Sequence, residues 1–126
     1  MAAQPIVEET ARAGADAVYR YLERTAEAGP EGVRWRSLSF KDEPQYGADL
    51  YNGVAGIAVF LAEYARTTGH PAAAALARRA LAWCAVPGQA LRHDFPTVAD
   101  TSLGFGTAGL GAAWLRLART PAPAAP

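Results

Sequence analysis

Two stretches decide the fold: DLYNGVAGIAVFLAEYART, Asp49 to Thr67, and TSLGFGTAGLGAAWLRLART, Thr101 to Thr120. Setting Leu50 on Leu103, an offset of 53 without gaps, pairs Gly53 with Gly106, Ala55 with Ala108, Gly56 with Gly109, Ala65 with Ala118, Arg66 with Arg119 and Thr67 with Thr120. These seven identities in 18 positions exceed what two arbitrary amphipathic helices share. Each copy carries glycines three apart at a helix start, where the missing side chains let a loop or another helix come close. A repeat near 50 residues in a helical chain predicts hairpins set side by side, each burying what its neighbour leaves exposed.

Working outward, residues 4 to 28 are rich in helix formers, with Ala11, Ala15, Val18, Leu22 and Ala26 at steps of three and four, which predicts one amphipathic helix. PEGVRWRSLSFKDEPQYGAD has no helical period; it reads as a loop with at most one short extended piece around Val33, Trp35, Leu38 and Phe40. A second helix starts near Asn52 or Gly53, with Asn52 or Asp49 as its cap. Its stripe of Val54, Ile57, Ala58, Leu61 and Ala65, widened by Phe60 and Tyr64, predicts cover on more than one side. Gly69 ends it, and Pro71 opens a third helix to Cys84, with Leu76, Ala77, Ala80, Leu81 and Cys84 inward and Arg78 and Arg79 outward. After a second irregular connector, a helix from Gly106 to Thr120 sets Leu110, Ala113, Trp114 and Leu117 on one face. Residues 1–120 read as one all-α domain, and 121–126, PAPAAP, as a disordered tail.

Composition narrows the functions. Twelve basic residues balance 12 acidic ones, so no field of one sign steers the chain toward nucleic acid or anionic lipid. Glu8 and Glu9 stand where a secretory signal would be basic and then apolar. The longest apolar run, Val54 to Ala62, falls far short of a bilayer span. Cys84 is the only cysteine, which forbids an internal disulfide. The expectation is a cytoplasmic protein without membrane or nucleic-acid partners.

The glycine-marked helix starts have two readings. In one the glycines only permit tight packing. In the other, the free amides and dipoles of both starts face a common site and hold an anionic or carbonyl group. No lysine followed by serine or threonine completes a Walker loop.

LYNGVAGIAVFLAEYARTTGHP and SLGFGTAGLGAAWLRLART resemble the lanthionine synthetase C-like family, whose repeats carry this leucine, glycine, alanine-glycine and isoleucine pattern. GVRWRSL is also similar to what precedes the first repeat in the cyclase domains of larger lanthipeptide synthetases, so the resemblance covers roughly residues 30 to 120. It implies an (α/α) toroid of two concentric helical layers, of which this chain holds part, with the glycine-rich turns at the starts of inner helices. In active members zinc lowers the pKa of a peptide cysteine thiol, which adds to a dehydrated serine or threonine and closes a thioether ring.

The chain departs from that pattern at the metal. The family binds zinc through two cysteines and one histidine that directly follows the second cysteine, whereas neither His70 nor His93 follows a cysteine. One copy therefore cannot build the family's zinc site, and no metal or cofactor is expected unless a site is shared with another chain. WCAVPG, Trp83 to Gly88, is similar to the family's Trp-Cys segment but one residue shorter, and Cys84 ends a buried stripe, as a structural thiol does. Asn52 and Phe105 stand before Gly53 and Gly106, where the family's catalytic histidine would be, so no catalytic residue is assigned. His93 with Asp94 reads as a loop pair, and Trp35, Trp83 and Trp114 as packing anchors.

The interaction motif is therefore Tyr51, Asn52, Gly53 and Gly56 with Phe105, Gly106 and Gly109. It predicts a non-catalytic binding or scaffold protein in lanthipeptide-type peptide modification. Such a protein holds a precursor peptide or a partner enzyme such as a kinase or lyase and works as a homo- or hetero-oligomer. The alternative is a shortened cyclase-like subunit whose thiol-addition site another chain completes. A domain fragment of a longer protein is the third reading.

Overall fold

The computed structural model describes residues 3–38, 41–51, 53–86, 103 and 107–120, with side chains from residue 7 onward. Among them the order is α1 (Ala3–Thr25), β1 (Glu27–Gly29), β2 (Gly32–Arg34), β3 (Ser37–Leu38), β4 (Pro44–Gln45), α2 (Val54–Thr68), α3 (Pro71–Cys84) and α4 (Thr107–Ala118). Asn52, His93, Asp94, Phe105, Gly106 and the tail 121–126 lie outside the described residues.

The expected all-α chain is mostly helical with two small antiparallel sheets, which corrects the reading of the segment after α1. β1 pairs with β2 as Glu27 with Arg34, Ala28 with Val33 and Gly29 with Gly32; β3 pairs with β4 as Ser37 with Gln45 and Leu38 with Pro44. The first hairpin packs on α3, and Gly32 permits this in two ways. Its φ is +135°, which side-chain-bearing residues rarely adopt, and a Cβ there would collide with the Arg79 carbonyl and lie 2.8 Å from the Trp83 nitrogen. Of the alternating residues, Val33 and Trp35 are buried while Leu38 is 55% exposed.

α2 lies at the centre, touching α1, α3 and α4, as its wide apolar stripe predicts. Val54, Ala55, Ala58, Leu61, Ala62, Tyr64 and Ala65 are buried on it, whereas Ile57 is half-buried. Gly69 closes the helix in the left-handed conformation, its N–H donating to the Ala65 carbonyl at 2.8 Å, and Pro71 starts α3. On α3 the buried residues are Ala73, Ala74, Ala77, Ala80, Leu81, Trp83 and Cys84. Leu76 is only half-buried, and Arg78 does not point freely outward, since it donates to the Thr120 carbonyl at 3.4 Å.

α4 docks on α2 and α3 through Gly109, Ala113 and Leu117. Arg116 pairs with Glu63 of α2 at 2.7 Å, and buried Thr120 lies 3.3 Å from the Ala62 carbonyl. Hydrogen bonds from Arg66 first and Arg116 second hold the Glu63 carboxyl below its usual range. Trp114, expected as a packing anchor, is 43% exposed, because the inward face runs through residues 109, 113 and 117.

α1 is attached by its C-terminal half. Tyr19 stacks on Tyr64 with ring centroids 4.8 Å apart, and both rings meet His70. The Tyr64 hydroxyl donates to Asp16 at 2.6 Å, the Tyr19 hydroxyl to Glu23 at 2.7 Å, and the Trp35 indole N–H to the Leu22 carbonyl at 2.9 Å. Burial, then the bond to Glu23, raises the Tyr19 pKa; the bond to Asp16, then burial, raises that of Tyr64. Tyr19 and Leu22 are the buried residues of α1, while Val18 of the expected stripe is 46% exposed. Among the described residues no helix is long and apolar enough to cross a membrane.

Candidate functional site

One contact recurs at the two glycine-marked helices. A Cβ on Gly56 would collide with the Leu50 carbonyl, and a Cβ on Gly109 would collide with the Leu103 carbonyl. Leu50 and Leu103 are repeat partners, as are Gly56 and Gly109, so in both copies the carbonyl of this leucine stands close over the second glycine. A Cβ on Gly109 would also lie 2.9 Å from Leu50 Cβ, so Leu50 ties the first repeat to the second. Gly53 is equally crowded, with the Gly47 carbonyl oxygen 2.5 Å from where its Cβ would stand.

These glycines stand where the backbone packs closely, and at α2 the amides are already occupied. Val54 N–H donates to Gly47 at 2.8 Å, Ala55 to Ala48 at 3.3 Å, and Gly56 and Ile57 to Gly53 at 3.2 and 3.5 Å. The carbonyls that the helix start holds are the chain's own, which leaves no bare amide of that first turn for an anion. Gly53 is the N-cap, in extended conformation and without a side-chain cap bond, so Asp49 is not the cap. Asp49 is instead buried in the entering loop.

Beside this start runs an open groove of about 550 Å³. Leu50, Tyr51, Gly53, Gly56, Ile57 and Phe60 line it from α2 and the loop before it. Val18 and Leu22 of α1, with Trp35 and Ser37, line it as well. None of these side chains is charged, and three are aromatic. Tyr51 is 67% exposed and Val18 46%, so solvent reaches both walls. The structure therefore gathers Tyr51, Gly53 and Gly56 at one groove and places Gly109 behind Leu50. The α1 wall lies some thirty residues earlier in the chain, and the sequence marked its Val18 and Leu22 only as part of the stripe of an amphipathic helix.

Cys84 packs against the same loop, 2% exposed, with its thiol 3.7 Å from the Ala48 carbonyl that also accepts from Ala55. Burial, followed by the negative charge of Asp49, pushes the thiol up to about 12. Three pH units above its ordinary value leave roughly a thousandfold less thiolate at neutral pH. The native protein is accordingly expected to react with an aromatic disulfide reagent at pH 8 more than about 100-fold more slowly than the urea-unfolded chain. Equal rates, followed by absorbance of the released thiolate, would place Cys84 at the surface.

The zinc chemistry of the resembled family does not fit these residues. Cys84 is enclosed as a neutral thiol, and His70 precedes α3 while Cys84 ends it, which separates them by roughly 20 Å along the helix. His70 packs against the Tyr19 and Tyr64 rings instead. Among the described residues no three histidine, cysteine or acidic side chains cluster as a metal site. Compared with known proteins, the chain matches no family model, no curated protein and no solved structure.

Proposed function

We propose that this chain is a non-catalytic binding or scaffold protein of the lanthionine synthetase C-like type, acting in the cytoplasm in the modification of ribosomally made peptides. The groove beside Tyr51 holds an uncharged apolar stretch of the precursor peptide. The observation that carries this reading is the groove itself, whose uncharged, aromatic walls adjoin the repeat's helix start. Its volume of about 550 Å³ lies within the range of roughly 300–1,000 Å³ typical of ligand clefts, room for a few side chains. A charged segment entering it would lose hydration and find no counter-charge among the lining residues.

In this reading α2 and α4 are inner helices of part of an (α/α) toroid and α3 is an outer one. The like contacts at Gly56 and Gly109, and the packing of α3 on both α2 and α4, support that arrangement. The alternative, a cyclase-like subunit completed by another chain, has less support because Cys84 would have to leave its enclosure to become a ligand.

Fluorescence anisotropy tests the peptide reading, using labelled peptides of roughly ten residues with serine, threonine and cysteine around a Leu-Phe pair. Saturable binding with a Kd on the order of 10 μM is expected, lost when the pair is replaced by two glutamates and weakened at least about tenfold by Tyr51→Glu. Equal binding of both peptides, or no saturation with either, would overturn the reading.

A further inference from the structure

The repeat register shows that α4 carries a face its counterpart keeps buried. On α2, Val54, Ala55, Ala58, Leu61, Ala62, Tyr64 and Ala65 are buried, and α3 is the helix packed most extensively on it. Moved by the offset of 53, these positions become Thr107, Ala108, Gly111, Trp114, Leu115, Leu117 and Ala118; Leu117 is buried like its counterpart, and the other positions are exposed. Leu115 is the most open, at 69%. Ala108, Gly111, Leu115 and Ala118 follow at steps of three, four and three, which lays them along one stripe, with Trp114 on its flank. Arg116 is turned away to Glu63. The stripe thus has the character of a helix-packing seam, and α3 shows by what such a seam is covered: a neighbouring antiparallel helix.

We infer that this face is the interface of a twofold-symmetric homodimer, in which α4 packs antiparallel on α4 of a second copy. The stripe is self-complementary about the level of Ala113. There Leu115 of one copy lies over Gly111 of the other, and Ala118 over Ala108, so the large residue meets the position without a side chain. Charge selects the direction. α4 carries no acidic residue, so a parallel pair would set Arg119 beside its own copy, whereas the antiparallel pair places it next to Thr107 and holds the two Arg119 residues roughly 18 Å apart along the axis. Antiparallel helices also oppose their dipoles. A seam made by a single helix of 12 residues is a small interface, so the dimer is a weak one. This inference rests on the repeat and on α4 alone; it stands or falls apart from the peptide groove.

Sedimentation velocity of the full chain from about 5 to 500 μM, the range such a small interface calls for, tests it. The sedimentation coefficient is expected to rise from monomer to dimer, and Leu115→Glu to remain monomeric throughout with an unchanged circular-dichroism spectrum and thermal midpoint. Direction is read by cross-linking: on mild oxidation the double variant Ala108→Cys, Ala118→Cys forms a covalent dimer, and Ala118→Cys alone does not. A wild-type monomer over the whole range overturns the homodimer. So does a dimer that Leu115→Glu leaves intact. A covalent dimer of Ala118→Cys alone overturns the antiparallel arrangement. If the monomer instead binds a synthetic peptide of the α3 sequence in a Leu115-dependent way, the face serves another chain's helix, and the second copy is not its occupant.

Discussion

Gly32→Ala is expected to lower stability by about 3 kcal/mol or more, a drop in thermal midpoint on the order of 10 °C. The backbone at φ +135° penalises any side chain, and the added methyl would stand against the Arg79 carbonyl and the Trp83 nitrogen of α3. Both are main-chain atoms inside a helix, so neither can rotate aside. The hairpin has to lift, and with it go fully buried Val33 and the Trp35 ring whose N–H reaches Leu22 of α1. Loss at one glycine therefore loosens both α1 and α3. Gly14→Ala is the matched control: that glycine lies within α1 with nothing within 4 Å of the new methyl, so a gain of about 0.5–1 kcal/mol is expected. Urea unfolding followed by circular dichroism measures both. A Gly32→Ala midpoint within error of wild type would show that the hairpin does not press on α3.

The second large effect lies at the repeat. Gly56→Ala and Gly109→Ala are each expected to cost about 1–3 kcal/mol, as overpacking of a close contact does. In each case the obstacle is a carbonyl of the entering chain, Leu50 at the first start and Leu103 at the second. The two sites share Leu50, whose carbonyl faces Gly56 and whose Cβ faces Gly109. A shift of Leu50 that relieves one substitution changes the room at the other, so the double variant should depart from the sum of the singles by roughly 0.5 kcal/mol or more. Equilibrium denaturation of the four proteins gives the coupling directly. Two neutral single variants would mean that the shared glycines are not there for close approach.

The helical part of this arrangement was legible because its signals are local. Gly69 followed by Pro71 marks the α2–α3 turn to the residue, and the stripe of α2 already required several neighbours. Of the sheets only a short extended piece around Val33 was legible; the pairing was not, since strands of two or three residues leave too short an alternation, and what fixes the first hairpin is the contact of Gly32 with a helix some fifty residues later. α1 was read through its alanines, Val18 and Leu22; Leu22 is buried as expected, whereas Tyr19 is buried because Tyr64 stacks on it, a partner no periodicity reveals. The face of α4 was misjudged at Trp114 because Gly109, which offers no apolar bulk, sets the helix rotation by lying under Leu50. At the groove, Tyr51, Gly53 and Gly56 were visible as a motif, while Val18, Leu22 and Trp35 join them only through the tertiary fold.

The aromatic seam that fastens α1 sets how that helix comes apart. Its 23 residues extend for roughly 35 Å, yet every described buried side chain on it lies from Tyr19 onward. Fraying can proceed from the amino end through the first three turns without uncovering a buried group, so amide protons there exchange with solvent through openings of near-zero free energy. At Tyr19 the same motion must unstack Tyr64, and a few residues on it must release the Trp35 indole from Leu22. Hydrogen exchange along this one helix therefore passes from local to nearly global opening within about two turns, and the boundary falls between Asp16 and Tyr19.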